Sequence, residues 1–311
     1  MGLTRKFILN NEVKKGFEEA ADQVAKYFGW DNDKIILNEK DKENYMENNV
    51  LRIVSWNCHY GFDGKKPETI KSFKADILVI PECREIDMEK SGYDKEHRDW
   101  YGDHKEAIEK EEINTEKDLG VGIFWKDGIT VKQLPEWENS LKDNCNFRYL
   151  IPYEVKGNFP PFILITVWTK AKYITGENDH LEYVQKAHSA IDHYNDLGLL
   201  KGQVILIGDF NSNIIWNNCY KKEQNHSKLV EKLEKIGIKD CSSPSENKNN
   251  TYIYYTKNGE KQVVDDYCFA SSKISDSAKF SIPSSDEWTL VNGVKHWHGS
   301  DHCPIVVDFT L

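Results

Sequence analysis

The chain has 311 residues, 39% hydrophobic and 12% aromatic, enough to bury a sizeable core. Its 51 acidic and 41 basic residues give a net charge of −10, which argues against nucleic-acid binding through a broad basic track but not against an enzyme that handles one phosphate at a time through a bound cation. No stretch approaches the length of a membrane span, and the basic amino-terminal segment resumes polar residues too soon for a signal peptide, so a cytoplasmic protein is expected.

In chain order, Val13, Phe17, Ala20, Ala21, Val24 and Phe28 recur at three- and four-residue spacing and predict an amphipathic helix over 11–29. Residues 38–49 are almost devoid of apolar groups and read as a solvated connector, so 1–50 is expected to be a helical extension ahead of a main body at 51–311. From there short apolar runs recur: LRIVSW (51–56), ADILVIP (75–81), VGIFW (121–125), FILITVW (162–168), VILIG (204–208), DYCFAS (266–271) and CPIVVDF (303–309). Between them 179–197 and 225–237 have helical spacing, the second with Gly237 as its cap, and 105–118 is a charged stretch expected to be an exposed helix or loop. Runs buried on both sides, interleaved with a few helices, imply sheets flanked by helices. The seven cysteines include no CxxC pair, and four of them lie in or beside strand runs where a reduced thiol acts as a small apolar group.

The polar residues at the ends of these runs are the informative ones. LRIVSW ends at Asn57, ADILVIP at Glu82, and VILIG at Asp209 and Asn211, while Asp265 and Asp266 open DYCFAS and Asp301-His302 opens CPIVVDF. A single Gly-Asp-Phe-Asn is explained by a turn. Five such tips together form a set of oxygen ligands plus one titratable imidazole, suited to a hard divalent cation and to hydrolysis of a phosphate ester.

The stretches SWNCHYG, IPECRE, GDFNSN, DYCFAS and SDHCPIVVDF, in this order across residues 51–311, resemble the endonuclease/exonuclease/phosphatase superfamily. The resemblance implies an α/β (α+β) fold, a four-layer α-β-β-α sandwich of two packed mixed β-sheets flanked by helices, with metal-dependent hydrolysis at the sheet ends. It implies that Glu82 binds the metal, with Asn57 beside it and Asp301 at the same site. It further implies that Asp209 activates the attacking water, Asn211 steadies the phosphate, His302 stabilises the transition state, and Asp266 holds that imidazole in one tautomer. The implied cofactor is Mg2+, with Mn2+ equally suited to oxygen ligands.

Two positions depart from the family pattern. Where many members end a strand in a His or Tyr that touches the phosphate, this chain has Trp168, whose indole donates but carries no charge. The contact is then lost or supplied by a neighbour, either Lys170, two residues on and on the same strand face, or Arg148; plain surface charge is the alternative for both. Asp265 stands where an aliphatic residue is usual, and the sequence offers no account of it. His-Trp-His at 296–298 lacks a third ligand at a zinc spacing and reads as a loop, with Trp297 a candidate to line the cleft, and His59 reads as a satisfied loop histidine.

The expected function is therefore a divalent-metal-dependent phosphodiester hydrolase, a nuclease acting on DNA or RNA. The alternative is a phosphatase or phosphodiesterase for a small molecule or lipid headgroup, which the acidic balance favours. A binding module with a degenerate site is disfavoured because every implied site residue is present.

Overall fold

The computed structural model describes residues 50–102, 119–135, 149–169, 180–242, 249–284 and 287–311, all within one compact unit, Asn49–Leu311. The expected helix at 11–29, the connector at 38–49, the charged stretch at 105–118, Lys170 and Arg148 lie outside the described residues.

The first sheet, among the described residues, has the order β13-β16-β1-β2-β4-β3. Its strands are β1 (Val50–Ser55), β2 (Ile77–Arg84), β3 (Arg98–Gly102), β4 (Leu119–Trp125), β13 (Lys279–Ser281) and β16 (Ile305–Thr310). The second has the order β5-β6-β7-β8-β12-β9, formed by β5 (Thr130–Gln133), β6 (Leu150–Gly157), β7 (Phe159–Trp168), β8 (Val204–Asp209), β9 (Ile238–Asp240) and β12 (Asp266–Ser271). Two hairpins stand apart, β10–β11 (Tyr252–Thr256, Gly259–Val263) and β14–β15 (Trp288–Val291, Val294–Trp297). The sheets face each other through β2 against β7 and β8, and through β12 against β16.

Both sheets are mixed in the same way. In each, one pair of central strands is parallel, β1 with β2 and β7 with β8, and an antiparallel strand lies on the other side, β16 on β1 and β12 on β8. This explains the pattern at the strand tips. Parallel strands deliver their last residues to one end of the sheet, and antiparallel neighbours begin there. Asn57 therefore follows β1, Glu82 lies near the end of β2 and Asp209 closes β8, while Asp266 opens β12 and His302 precedes β16, and all reach the same end. Asp266 is the direct register partner of Asp209.

The apolar runs fill the space between the layers. Every residue of β8 is buried, as are Ile53 and Val54 of β1 and Ile305 and Val307 of β16; each such side chain contributes roughly 1.5–3 kcal/mol on burial. Both expected helices form. The first, here α3 (His180–Asp196), buries Val184, Ala187, Ala190, Ile191 and Tyr194 along one face. The second, α4 (His226–Lys235), is N-capped by the Asn225 side chain accepting from Lys228 N and is followed by Gly237 at φ 80°. Short helices α1 (Lys66–Lys71) and α2 (Glu85–Lys90) follow β1 and β2, and α5 (Ser272–Ser275) follows β12. No described helix is long and apolar enough to cross a membrane, and the six described cysteines are all free.

Candidate active site

Glycine and strained backbone place the tips. Gly208 has φ 145°, and a Cβ there would collide with the Val167 carbonyl, so only glycine lets β8 run this close to β7 just before Asp209. Glu82 sits at φ 59° in an irregularity of the β2–β4 ladder between Pro81 and Cys83. The extra residue turns the Glu82 side chain out of the alternation, the usual work of a bulge beside a site. Asn211, His59 and Tyr60 also have left-handed backbone.

The side chains then converge. The Asn57 amide, 1% exposed, donates through Nδ2 to Glu82 Oε1 at 3.0 Å and to Asp209 Oδ2 at 2.9 Å. Asp209, fully buried, also accepts from Asn211 N at 2.7 Å and from Asn211 Nδ2 at 2.7 Å. His302 Nδ1 lies 2.9 Å from Asp266 Oδ2. The two halves are tied by Ser300, whose hydroxyl donates to Asn57 O at 2.7 Å and accepts from His302 N at 3.0 Å, and by Trp56 Nε1, which donates to His302 O. Asp301 pairs with His59 Nδ1 at 2.9 Å. Lys66, at the start of α1, donates to the carbonyls of Cys58, His59 and Gly61 and so fixes the loop after Asn57.

Burial and charge set the protonation states. Desolvation pushes Asp209 up to about 7, with the Asp266 charge adding to it, while the His302 charge and the Asn57 and Asn211 hydrogen bonds pull the other way. Burial disfavours a charged His302, but the carboxylates of Asp266 and Asp265 outweigh it and hold the imidazole well above its ordinary value. Burial would raise Asp301 too; the hydrogen bond from His59 and the charge of His302 outweigh it, and Asp301 lies below the usual carboxylate range.

Of the expected site residues, Asn57, Glu82, Asp209, Asn211, Asp266, Asp301 and His302 therefore come to one end of the two sheets, in contact directly or through one intermediary. Trp168 reaches the same end, opposite Asp209 in register, but it is only 3% exposed and packs on Tyr149; its indole is part of the core. Trp297, a candidate to line the cleft, is also buried, with its ring edge-on to Trp56 at 5.3 Å. Asp265, unexplained by the sequence, is buried with Oδ1 3.8 Å from His302 Nδ1. Thr251 Oγ1 accepts from both Asp265 N and Asp266 N and donates to Asp265 Oδ1, which orients the start of β12.

Sequence reasoning missed Thr251 and its neighbour Tyr252. Thr251 precedes and Tyr252 opens β10, which runs beside the Asp301–Cys303 segment through Ile253 N to Asp301 O and Cys303 N to Thr251 O. The signal that announces this hairpin, Asn258-Gly259, is in the sequence.

The arrangement offers a buried carboxylate to take a proton from water, a carboxylate–imidazole pair, and partly exposed carboxylates at Glu82 and Asp301 whose oxygens suit a hard cation. Asp265, Asp266 and His302 also lie close enough to hold an ion, but with Nδ1 engaged by Asp266 they read as an oriented imidazole.

No protein-family model matches the sequence, and no curated protein matches it significantly. Solved structures do. A truncated TDP2 from Caenorhabditis elegans matches with TM-score 0.55 at 16% identity, over 86% of this chain and 100% of that one. The 3′ phosphatase NExo from Neisseria, bound to a product DNA hairpin, matches with TM-score 0.55 at 16% identity, over 84% and 100%. An AP endonuclease from Archaeoglobus fulgidus matches with TM-score 0.53 at 15% identity, over 84% and 100%. At such identities the likeness is one of fold: the chain shares the fold of these structures, two packed mixed sheets with flanking helices.

Proposed function

We propose that the protein is a divalent-metal-dependent phosphodiester hydrolase acting on nucleic acid. The observation that carries the reading is the shared network in which Asn57 bridges Glu82 and Asp209 while Ser300 ties Asn57 to the His302–Asp266 pair. Structural packing alone has no use for so many buried carboxylates around one imidazole, since each carries a desolvation penalty.

The donor set fits a hard cation. Glu82 and Asp301 supply carboxylate oxygens at the partly exposed side of the network, with the Asn57 amide between Glu82 and Asp209, and the excess of acidic groups there favours a bound positive charge. Mg2+ or Mn2+ bound there would neutralise charge on the phosphate. The chain's own groups perform the rest. Asp209 takes the proton from the attacking water; its raised pKa makes it a competent base near neutral pH. His302, with Nδ1 donating to Asp266, presents Nε2 to a phosphoryl oxygen as charge accumulates. Asn211 holds Asp209 through two hydrogen bonds and fixes its direction. The DNA bound to the Neisseria structural neighbour supports nucleic acid as the substrate class.

A second reading, a small phosphate ester, is favoured by the net charge of −10. The test is a hydrolysis panel of single- and double-stranded DNA, RNA, inositol phosphates, sphingomyelin and bis(p-nitrophenyl) phosphate, each with Mg2+, Mn2+ and chelator. Metal-dependent cleavage of DNA or RNA, lost in His302→Ala, is the expected result. Turnover of only the small esters selects the second reading, and activity indifferent to metal and to His302→Ala overturns both.

A further inference from the structure

Resting on the phosphoester-hydrolase reading, we infer that Tyr252 is a further catalytic residue, whose phenolic O–H donates to a non-bridging oxygen of the scissile phosphate beside His302.

The need for such a donor follows from how the other groups are engaged. Both N–H groups of the Asn211 amide already have partners, Asp209 Oδ2 and Thr169 O. Those of Asn57 are held by Glu82 and Asp209. The Trp168 indole, at the strand tip where a phosphate donor was expected, is packed in the core. Thr169, next along, is buried with its hydroxyl on Phe210 O. A phosphate at the site would meet His302 Nε2 and little else from these elements.

Tyr252 meets the geometric requirement. It forms a bridge across to His302, so the two side chains are cross-strand neighbours. Its ring lies 4.6 Å from the imidazole at 31°, and its other neighbour is Tyr254, 5.7 Å away and nearly parallel at 14°. Trp216 meets Tyr254 edge-on at 5.8 Å and backs the stack. The ring is therefore held on two sides, and its hydroxyl is preorganised. The side chain is only half-buried, and its hydroxyl has no hydrogen-bond partner among the described residues, in contrast to Tyr255, which accepts from Lys295 N, and Tyr267, which donates to Val264 O.

Charge keeps the group in its donor form. Burial, and then the carboxylates of Asp301, Asp265, Asp209 and Glu82, all raise the phenol far above its ordinary value. These four acids belong to the site itself, which places the ring in its field. A phenol that does not ionise gives a hydrogen bond to a developing oxyanion without adding negative charge.

Tyr252→Phe keeps the ring stack and removes only the hydroxyl. In the full chain with Mg2+ and bis(p-nitrophenyl) phosphate, kcat is expected to fall by roughly 10²-fold, with KM and melting temperature close to the parent. Binding of orthovanadate, followed by calorimetry, is expected to weaken at least about tenfold, the same loss read without turnover. His302→Ala is measured alongside. If His302→Ala loses turnover and vanadate binding while Tyr252→Phe keeps both within about twofold, the assignment of Tyr252 is overturned and the hydrolase reading stands. If the parent neither hydrolyses a phosphate ester nor binds vanadate, both are overturned.

Discussion

The role proposed for His302 depends on what surrounds it. One ring nitrogen is fixed by Asp266, a second carboxylate lies 3.8 Å from the same nitrogen, and a tyrosine ring covers one face. Asp266→Asn leaves the shape but offers an amide where a carboxylate held Nδ1–H, so turnover is expected to fall by roughly 10²-fold or more while melting temperature changes little. Asp209 carries a pH signature. Its folded-state pKa, about 7, lies above the ordinary carboxylate value, so the stability its protonated form contributes is complete below that ordinary value and is lost as pH rises through about 7. In EDTA, the melting temperature of Asp209→Asn is therefore expected to gain on the parent between about pH 5 and about pH 8; equal slopes for the two proteins would refute the raised pKa.

At the scale of elements, β8 delivers Asp209 only because Gly208 permits the close approach to β7. Gly208→Ala forces the strands apart and imposes an unfavourable backbone angle, so a loss of about 3 kcal/mol or more is expected by denaturant unfolding, with activity lost in step. Ser300 joins two loops of the same sheet; Ser300→Ala removes both hydrogen bonds and leaves the Asn57 carbonyl buried without that donor, a cost of about 1–3 kcal/mol. The long apolar strands and both central helices were legible because burial on both faces writes itself as continuous apolar sequence, as in VILIG and FILITVW. The hairpins were not. β10 and β11, YIYYT and GEKQV, bury one apolar residue each, Ile253 and Val263, and leave the others half-exposed or exposed, and their burial depends on what packs beside them. With them went Thr251 and Tyr252.

For the whole molecule, the acidic balance sets how substrate is bound. A nucleic acid neutralised by many Lys and Arg contacts would show a steep salt dependence, near −0.9 per phosphate contacted for duplex DNA. With a net charge of −10, a slope of log KM against log salt corresponding to no more than about two contacts is expected; a steeper one would point to a basic track. If Mg2+ binds at Glu82 and Asp301 as proposed, it stabilises the folded state by mass action, about 2.7 kcal/mol at a hundredfold excess over Kd. Melting temperature is therefore expected to rise with Mg2+ and fall back with EDTA, and Glu82→Gln should blunt the rise.

The residue types that can do this chemistry, and their order along the chain, were determined by the sequence alone. A carboxylate or amide at the end of an apolar run is visible as a local fact, and seven of them in one order constrain the fold that must bring them together. Tertiary structure alone decided which groups are free to act. It turned Trp168 into the core, engaged both protons of Asn211, buried Asp265 against the imidazole, and left the Tyr252 hydroxyl without a hydrogen-bond partner among the described residues. These outcomes depend on the space and hydrogen-bond partners that strands distant in sequence offer one another, which no local pattern encodes.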